Sequence, residues 1–133
     1  MMRFSRQSRL LKPAQFRLVF QQPIRSFDDY FRIMARTNDI QQHRLGMAVS
    51  KKACATAVGR NRIKRVVREN FRSRLLGINA DKTLDIVVLP TAKAASQDNK
   101  TLDESLLTHW EKLTTKAGDR KTGSQPDQLR TQK

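Results

Sequence analysis

Only one cysteine, Cys54, occurs among 133 residues, so the chain closes no internal disulfide and builds neither a cysteine zinc cluster nor a paired-thiol redox centre. A reducing, cytoplasmic setting is expected. Long apolar runs are missing too. The longest, Leu45 to Val49 with its glycine and Ile86 to Leu89, fall far short of the ~20 residues of a membrane span. The first twenty residues hold Arg3, Arg6, Arg9, Lys12 and Arg17 but no apolar stretch of the signal-peptide kind. Neither membrane insertion nor export is expected. Residues arranged for catalysis are also lacking. His43 and His109 lie far apart in sequence, and Asp98, Asp103 and Glu104 cluster at the start of a helical pattern, where capping and the helix macrodipole account for them. No catalytic residue and no metal ligand is predicted, because hydrolytic chemistry would need positioned acids and bases or a carboxylate cluster for metals. Acids are scarce overall, twelve against twenty-seven Lys and Arg.

The resulting formal charge of +15 exceeds what solubility asks of one small domain and points to a polyanionic partner. The charge is localised. Residues 1–36 carry +6, residues 37–50 are neutral, residues 51–74 carry +8, and the remainder carries +1. A chain of this length with 38% apolar residues supports one core. The expected organisation is a flexible basic N-terminus over 1–8, one domain over 9–115 and a disordered tail over 116–133, where Lys, Thr, Gln, Gly and Asp replace any apolar pattern.

Within that domain, Pro13 suits the first turn of a helix carrying Phe16, Val19 and Phe20 at helical spacing, closed by Pro23. From Tyr30 to Arg36 the period is two, with Phe31, Ile33 and Ala35 on one side and Tyr30, Arg32, Met34 and Arg36 on the other. Leu45, Met47 and Val49 repeat the alternation, and the two strands are expected to pair antiparallel. Residues 57–76 form the principal predicted helix, with Ile63, Val66, Val67, Asn70 and Phe71 on one stripe and Gly77 as its stop. Leu84 to Leu89 reads as an interior strand buried on both faces. Leu102, Leu106, Leu107, Trp110 and Leu113 mark a last amphipathic helix. Helices and strands in this mixture predict an α+β domain.

The densest signal is Ser50-Lys51-Lys52 followed by Gly59-Arg60-Asn61-Arg62-Ile63-Lys64-Arg65-Val66-Val67-Arg68-Glu69-Asn70-Phe71-Arg72. At about 100° per residue, Asn61, Lys64, Arg65, Arg68 and Arg72 fall opposite the apolar stripe. Guanidinium forks and lysine point charges on one arc suit phosphates. A solvated helix face is the ordinary fate of charge runs, but such faces mix signs, and between Lys51 and Arg74 nine cations stand against one acid. The predicted RNA-binding set is Lys51, Lys52, Arg60, Asn61, Arg62, Lys64, Arg65, Arg68 and Arg72.

An Arg-Asn-Arg helix preceded by a strand ending in Lys-Lys resembles the bacterial ribonuclease P protein family. The resemblance extends to Arg9-Leu10-Leu11, Phe16-x-x-Val19-Phe20, Arg44-Leu45-Gly46, Asp85-Ile86-Val87-Val88 and the Leu106 to Trp110 helix, covering about residues 6–113. It implies a single-domain α/β sandwich, ordered α-β-β-β-α-β-α with a left-handed β-α-β crossover around the basic helix. It further implies a cleft beside the first helix that receives the single-stranded 5′ leader of precursor tRNA. Phe16 and Phe20 match its aromatic positions, and rings stack on unpaired bases with little sequence preference; core packing is the alternative for both. Tyr30, Arg32, Met34 and Arg36 on the strand face, and Lys93 beyond the interior strand, complete the predicted leader cleft. Met34 stands where family members can carry a tyrosine, and Thr56 where some carry an asparagine.

The implied partners are the catalytic ribonuclease P RNA and precursor tRNA, with no membrane and no small-molecule substrate. The implied chemistry belongs to the RNA subunit, which uses Mg²⁺, while the polypeptide by itself binds no cofactor. Two other readings remain open on the residues alone. One is a noncatalytic, ribosome-associated protein that binds structured RNA. The other is a DNA-binding regulator with residues 57–76 as recognition helix.

Overall fold

A computed structural model of the chain describes residues 9, 12–75 and 82–120. The expected flexible segment 1–8, Gly77 and tail residues 121–133 lie outside the described residues.

Helix α1, Pro13–Gln21, opens with its proline in the first turn, and Gln15 Oε1 accepts the Lys12 N–H at 2.9 Å. Strands β1, Ile24–Phe27, and β2, Phe31–Asn38, form a hairpin, and β3, Arg44–Met47, follows. Helix α2, Ala57–Asn70, leads through a π-helical turn at Phe71–Leu75, and β4 spans Thr83–Pro90. A 3₁₀ turn at Ala92–Ser96 precedes α3, Asn99–Arg120. The implied order α-β-β-β-α-β-α is the observed one.

The sheet order is β1-β2-β4-β3. Strand β4 runs antiparallel to β2 and parallel to β3, so β3, α2 and β4 form a β-α-β unit. This overturns the expected antiparallel pairing of β2 with β3. A short polar connection suggested a hairpin there, but the strand apolar on both faces takes the interior of the sheet and separates its partly polar neighbours. Burial along β4 is nearly unbroken from Leu84 to Val88. The cross-strand rows Ile24, Ala35, Ile86, Leu45 and Ser26, Ile33, Val88, Met47 share one face. That face meets Ile63, Val66 and Val67 of α2 and Leu102, Leu106, Trp110 and Leu113 of α3 in the main core. On the opposite face lies α1, where Val19 and Val87, both fully buried, pack with Phe16, Met34 and Leu89.

Three further differences from the sequence expectations have physical causes. Strand β1 shows no apolar periodicity because its alternation is inverted: Ile24 and Ser26 point inward while Phe27 is half exposed. Regular α-helix ends at Asn70, because the α2–α3 contact continues through Phe71 and Leu75 on a wider π turn. Helix α3 runs past the expected boundary at 115, with Ala117 fully buried and Lys116 Nζ donating to Arg25 O at 2.6 Å.

Candidate nucleic-acid interface

The basic surface begins at a turn that Ser50 holds. Ser50 O accepts the Cys54 N–H at 3.0 Å and Ser50 Oγ accepts the Ala53 N–H at 3.1 Å. Lys51 and Lys52 stand exposed at its tip. Thr56 then caps α2, its Oγ1 accepting the Gly59 N–H at 3.0 Å. A threonine therefore does the capping at the position where some family members carry asparagine. Gly59 is dictated by crowding, since a Cβ there would lie 2.4 Å from Cys54 Sγ and 2.8 Å from Thr56 Oγ1.

Along α2 the cations divide into two sets. Arg60 turns back to donate to the carbonyls of Cys54 at 3.0 Å and Ala55 at 3.1 Å. Arg62 donates to Asn99 Oδ1 at 2.7 Å, Gln97 O at 3.0 Å and Ala95 O at 3.3 Å, tying α2 to the entry of α3. Arg72 pairs with Glu69 at 2.6 Å. Of the predicted RNA-binding set, these three residues have guanidiniums already engaged by groups of the protein itself. Residue type and spacing announce a cation but not the carbonyls that tertiary structure brings to it. Lys51, Lys52, Asn61, Lys64, Arg65 and Arg68 make no side-chain hydrogen bond or ion pair among the described residues. Arg65 and Asn61 are exposed, with Lys64 and Arg68 part-exposed beside them. The helix therefore presents positive charge and hydrogen-bond donors that no side chain among the described residues pairs with.

A second surface lies on the α1 side of the sheet. Phe16 is partly buried against Val19, Met34, Val87 and Leu89, while Phe20 on the same helix is 43% exposed. Arg32 is exposed, and Arg36 and Lys82 face an open cavity of about 590 Å³ at the C-terminal end of α1, shared with Leu18, Gln21 and Ile24. Two predicted members do not join this surface. Tyr30 precedes β2 in a turn organised by Asp28 and packs on the main core, because the strand period begins only at Phe31. Lys93 sits on the 3₁₀ turn that packs against α2. Lys82, Arg25 and Phe27 were missed from the sequence, since a lone loop cation and a four-residue strand leave no periodic trace.

The α1 side also carries a structural ion pair. Arg44 Nε and Nη2 donate to Asp85 Oδ1 and Oδ2, each at 2.7 Å, and Asn38 Nδ2 donates to Asp85 Oδ1 at 2.7 Å. The bond to Asp85 holds the Arg44 guanidinium above its ordinary value, against the effect of partial burial. This fork pins β3 to β4.

The histidines are interior. His43 Nδ1 accepts the Leu84 N–H at 3.0 Å, and burial pushes its imidazole pKa down. His109 lies between Ser26, 2.6 Å from Nδ1, and Asp28, 3.1 Å from Nε2. Burial lowers the His109 pKa most, Asp28 pulls it up, and Lys112 and Lys116 add to the lowering. Asp28 is itself partly buried, which opposes ionisation, but hydrogen bonds from Ser105, the Phe31 and Tyr30 N–H groups and His109 hold its carboxyl below the usual range. Ser26, His109 and Asp28 have the composition of a hydrolase relay. However, Ser26 is only 4% exposed, so the relay is a clasp between β1 and α3 and its hydroxyl meets no substrate.

Fold and surface define a small basic α+β protein that displays cations on one helix and, beside another, an exposed ring next to an open cavity edged by Arg36 and Lys82. The Ribonuclease P family profile matches residues 4–114. The ribonuclease P protein component of Methylococcus capsulatus is 42% identical over 111 residues, covering 84% of each chain. That of Aliivibrio fischeri is 41% identical, covering 83% of this chain and 92% of the relative. Among solved structures, the RNase P protein from Thermotoga maritima superposes with a TM-score of 0.68 at 33% identity, covering 78% of this chain and 96% of that one. The Staphylococcus aureus RNase P protein superposes at 0.67 with 30% identity, covering 80% and 97%. The chain belongs to the ribonuclease P protein family, and it is a subunit of that tRNA-processing endoribonuclease.

Proposed function

We propose that this subunit grips the catalytic ribonuclease P RNA with the free face of α2 and the Lys51-Lys52 turn, while the groove beside α1 holds the 5′ leader of precursor tRNA. The carrying observation is the division of cations along α2: Arg60, Arg62 and Arg72 are engaged by groups of the protein itself, whereas Lys64, Arg65 and Arg68 have no partner among the described residues and stand part- or fully exposed with Asn61. Unneutralised charge held on a rigid helix favours a phosphate backbone, because each contact releases a condensed counterion. Phe20 offers a ring, Met34 a polarizable floor, and Arg32 and Arg36 flanking cations for single-stranded RNA. In the assembly, hydrolysis of the phosphodiester belongs to the RNA subunit with Mg²⁺. The protein contributes substrate affinity and lowers the ionic demand of bringing two polyanions together. No described helix is long and apolar enough to cross a membrane, and a cytoplasmic location accords with the single cysteine and the RNA partners.

The test is reconstitution. Purified protein is added to a ribonuclease P RNA at low Mg²⁺ with precursor tRNA, and 5′ cleavage is expected to be stimulated. Binding of structured RNA without stimulation would instead support the noncatalytic RNA-binding reading. In the same assay Phe20→Ala is expected to lose ~1 to 3 kcal/mol of affinity for leader-bearing precursor and to leave mature tRNA binding unchanged.

A further inference from the structure

Phe27 on β1 and Arg32 on β2 are cross-strand partners, and the Arg32 guanidinium carbon lies 5.5 Å from the centre of the Phe27 ring. Both stand on the sheet face that carries Met34 and receives α1, because Arg25–Met34–Val87 and Phe27–Arg32–Leu89 are consecutive rows of that face. Phe27 is 50% exposed while its neighbour Ser26 is only 4% exposed. Strand β1 thus takes a serine inside and leaves an aromatic ring in water, against the usual preference of both. The bond from Ser26 to His109 accounts for the serine. It leaves the ring without any role in the core.

The surroundings of the ring are cationic. Arg25 and Arg32 are exposed, and neither has a carboxylate within ion-pair distance among the described residues. Asp28, the next residue, turns its carboxylate to Ser105, His109 and the N–H groups of Tyr30 and Phe31. Asp29 is the acid of that turn whose carboxylate has no hydrogen-bond or ion-pair partner among the described residues. A protein partner would meet a single ring among guanidiniums, whereas an unpaired nucleotide matches all of it: its base stacks on a ring or on a guanidinium plane, and its phosphate takes the forked donors of arginine.

We propose that Phe27 and Arg32 form a second stacking platform for an unpaired RNA base, extending the groove beside α1 toward the β1 edge of the sheet. The proposal rests on the leader-binding reading above and adds a site to it. Arg32 is two residues from Met34 along β2, about 7 Å, so one continuous strand reaches both. The recognised chemistry is a single-stranded nucleobase with its 5′ or 3′ phosphate, without demand for a particular base. Arg25, opposite Met34, is placed to hold the phosphate between the two stacking positions.

The test uses the full chain assembled with ribonuclease P RNA, precursor tRNAs with 5′ leaders of graded length, and mature tRNA, with equilibrium binding as the readout. Phe27→Ala is expected to weaken binding about five- to tenfold for leaders long enough to reach the edge. Affinity for the shortest leaders and for mature tRNA stays as in the parent. Arg32→Gln gives a loss at every leader length that grows for leaders reaching the edge, and Phe27→Trp restores binding. Melting temperatures of the variants separate folding from binding. Equal losses on all ligands, or unchanged affinity at every leader length, overturn the platform. If Phe20→Ala weakens leader-bearing precursor and Phe27→Ala does not, the platform alone is wrong. If neither variant changes leader dependence, the leader groove itself is wrong and the platform falls with it.

Discussion

Ser26 Oγ on β1 and His109 Nδ1 on α3 lie 2.6 Å apart in the interior, and Asp28 Oδ2 stands 3.1 Å from the other ring nitrogen. An ionised Asp28 favours the proton on Nε2, so Nδ1 is bare and accepts the Ser26 hydroxyl proton. This bond and the burial of Ile24 hold the same face of β1 inward, since slipping the strand by one residue would bury Phe27 and expose both Ile24 and Ser26. The polarity of the edge strand is therefore set in part by a helix 83 positions away in sequence.

Stability of the free protein is expected to fall as pH drops from about 7.5 toward 5.5. Both His43 and His109 have folded-state pKa values below the ordinary 6.5. Between those lowered values and 6.5 the unfolded chain takes up more protons than the folded one, so acidification favours unfolding there. Asp28 acts lower down: its pKa is depressed from 3.8, so its contribution persists across this window and is lost only as pH falls below 3.8 and through its folded value. Thermal melts across pH check the sign. Replacing both histidines by glutamine should flatten the slope between pH 7.5 and 5.5; an undiminished slope would refute the assignment.

Arg65→Ala and Arg62→Ala are expected to do opposite things. Arg65 is exposed without a partner, so its loss should leave the melting temperature unchanged and reduce the salt dependence of RNA binding by about one unit of slope. With ~6 phosphates neutralised, the parent slope of log affinity against log salt should be about −4 to −5. Arg62 donates to three oxygens that connect α2 to α3. Its removal strands part-buried acceptors and should cost ~1 to 3 kcal/mol of stability. Denaturant titration and salt-dependent binding on both variants separate the two roles.

Asn70→Ala should destabilise the α2–α3 contact by ~1 to 3 kcal/mol. Asn70 Oδ1 accepts the Trp110 indole N–H at 2.6 Å, and its Nδ2 reaches Asp103 Oδ1 at 3.1 Å. The variant leaves the N–H of a fully buried indole unpaired. Trp110 is the only tryptophan, so its fluorescence reports the transition directly.

Gly59→Ala should disturb the start of α2, because the added Cβ would collide with Cys54 Sγ at 2.4 Å and Thr56 Oγ1 at 2.8 Å. Adding Cys54→Ala removes the worse clash. The double variant is expected to recover part of the lost melting temperature, and no recovery would mean that the Thr56 contact dominates.

Arg44→Ala leaves Asp85, 4% exposed, without its bidentate partner. Loss of one member of a largely buried pair costs ~3 to 5 kcal/mol; Asn38 still donates to Asp85, so the lower end is expected. Urea unfolding of the variant measures it.

Much of this protein was legible along the chain. The stripe Ile63, Val66, Val67, Asn70 predicted both the buried side of α2 and, by subtraction, its cationic side. The Leu84 to Leu89 run predicted a strand buried on both faces. These readings succeed because helix and strand periodicities are local, and burial follows from which side chains water rejects.

What the amino-acid order settled by itself was the inventory: one small α+β domain, its charge concentrated in two segments, and an Arg-Asn-Arg helix too basic to be ordinary surface. Tertiary structure alone decided the neighbours. It inserted β4 between β2 and β3, drew Arg62 onto the carbonyls of Ala95 and Gln97, turned Tyr30 toward the main core, and stood Phe27 in solvent by binding Ser26 to His109. Each of these choices depends on groups tens of residues apart, and a hydrogen bond or packing contact across that separation leaves no periodic mark on the sequence between them.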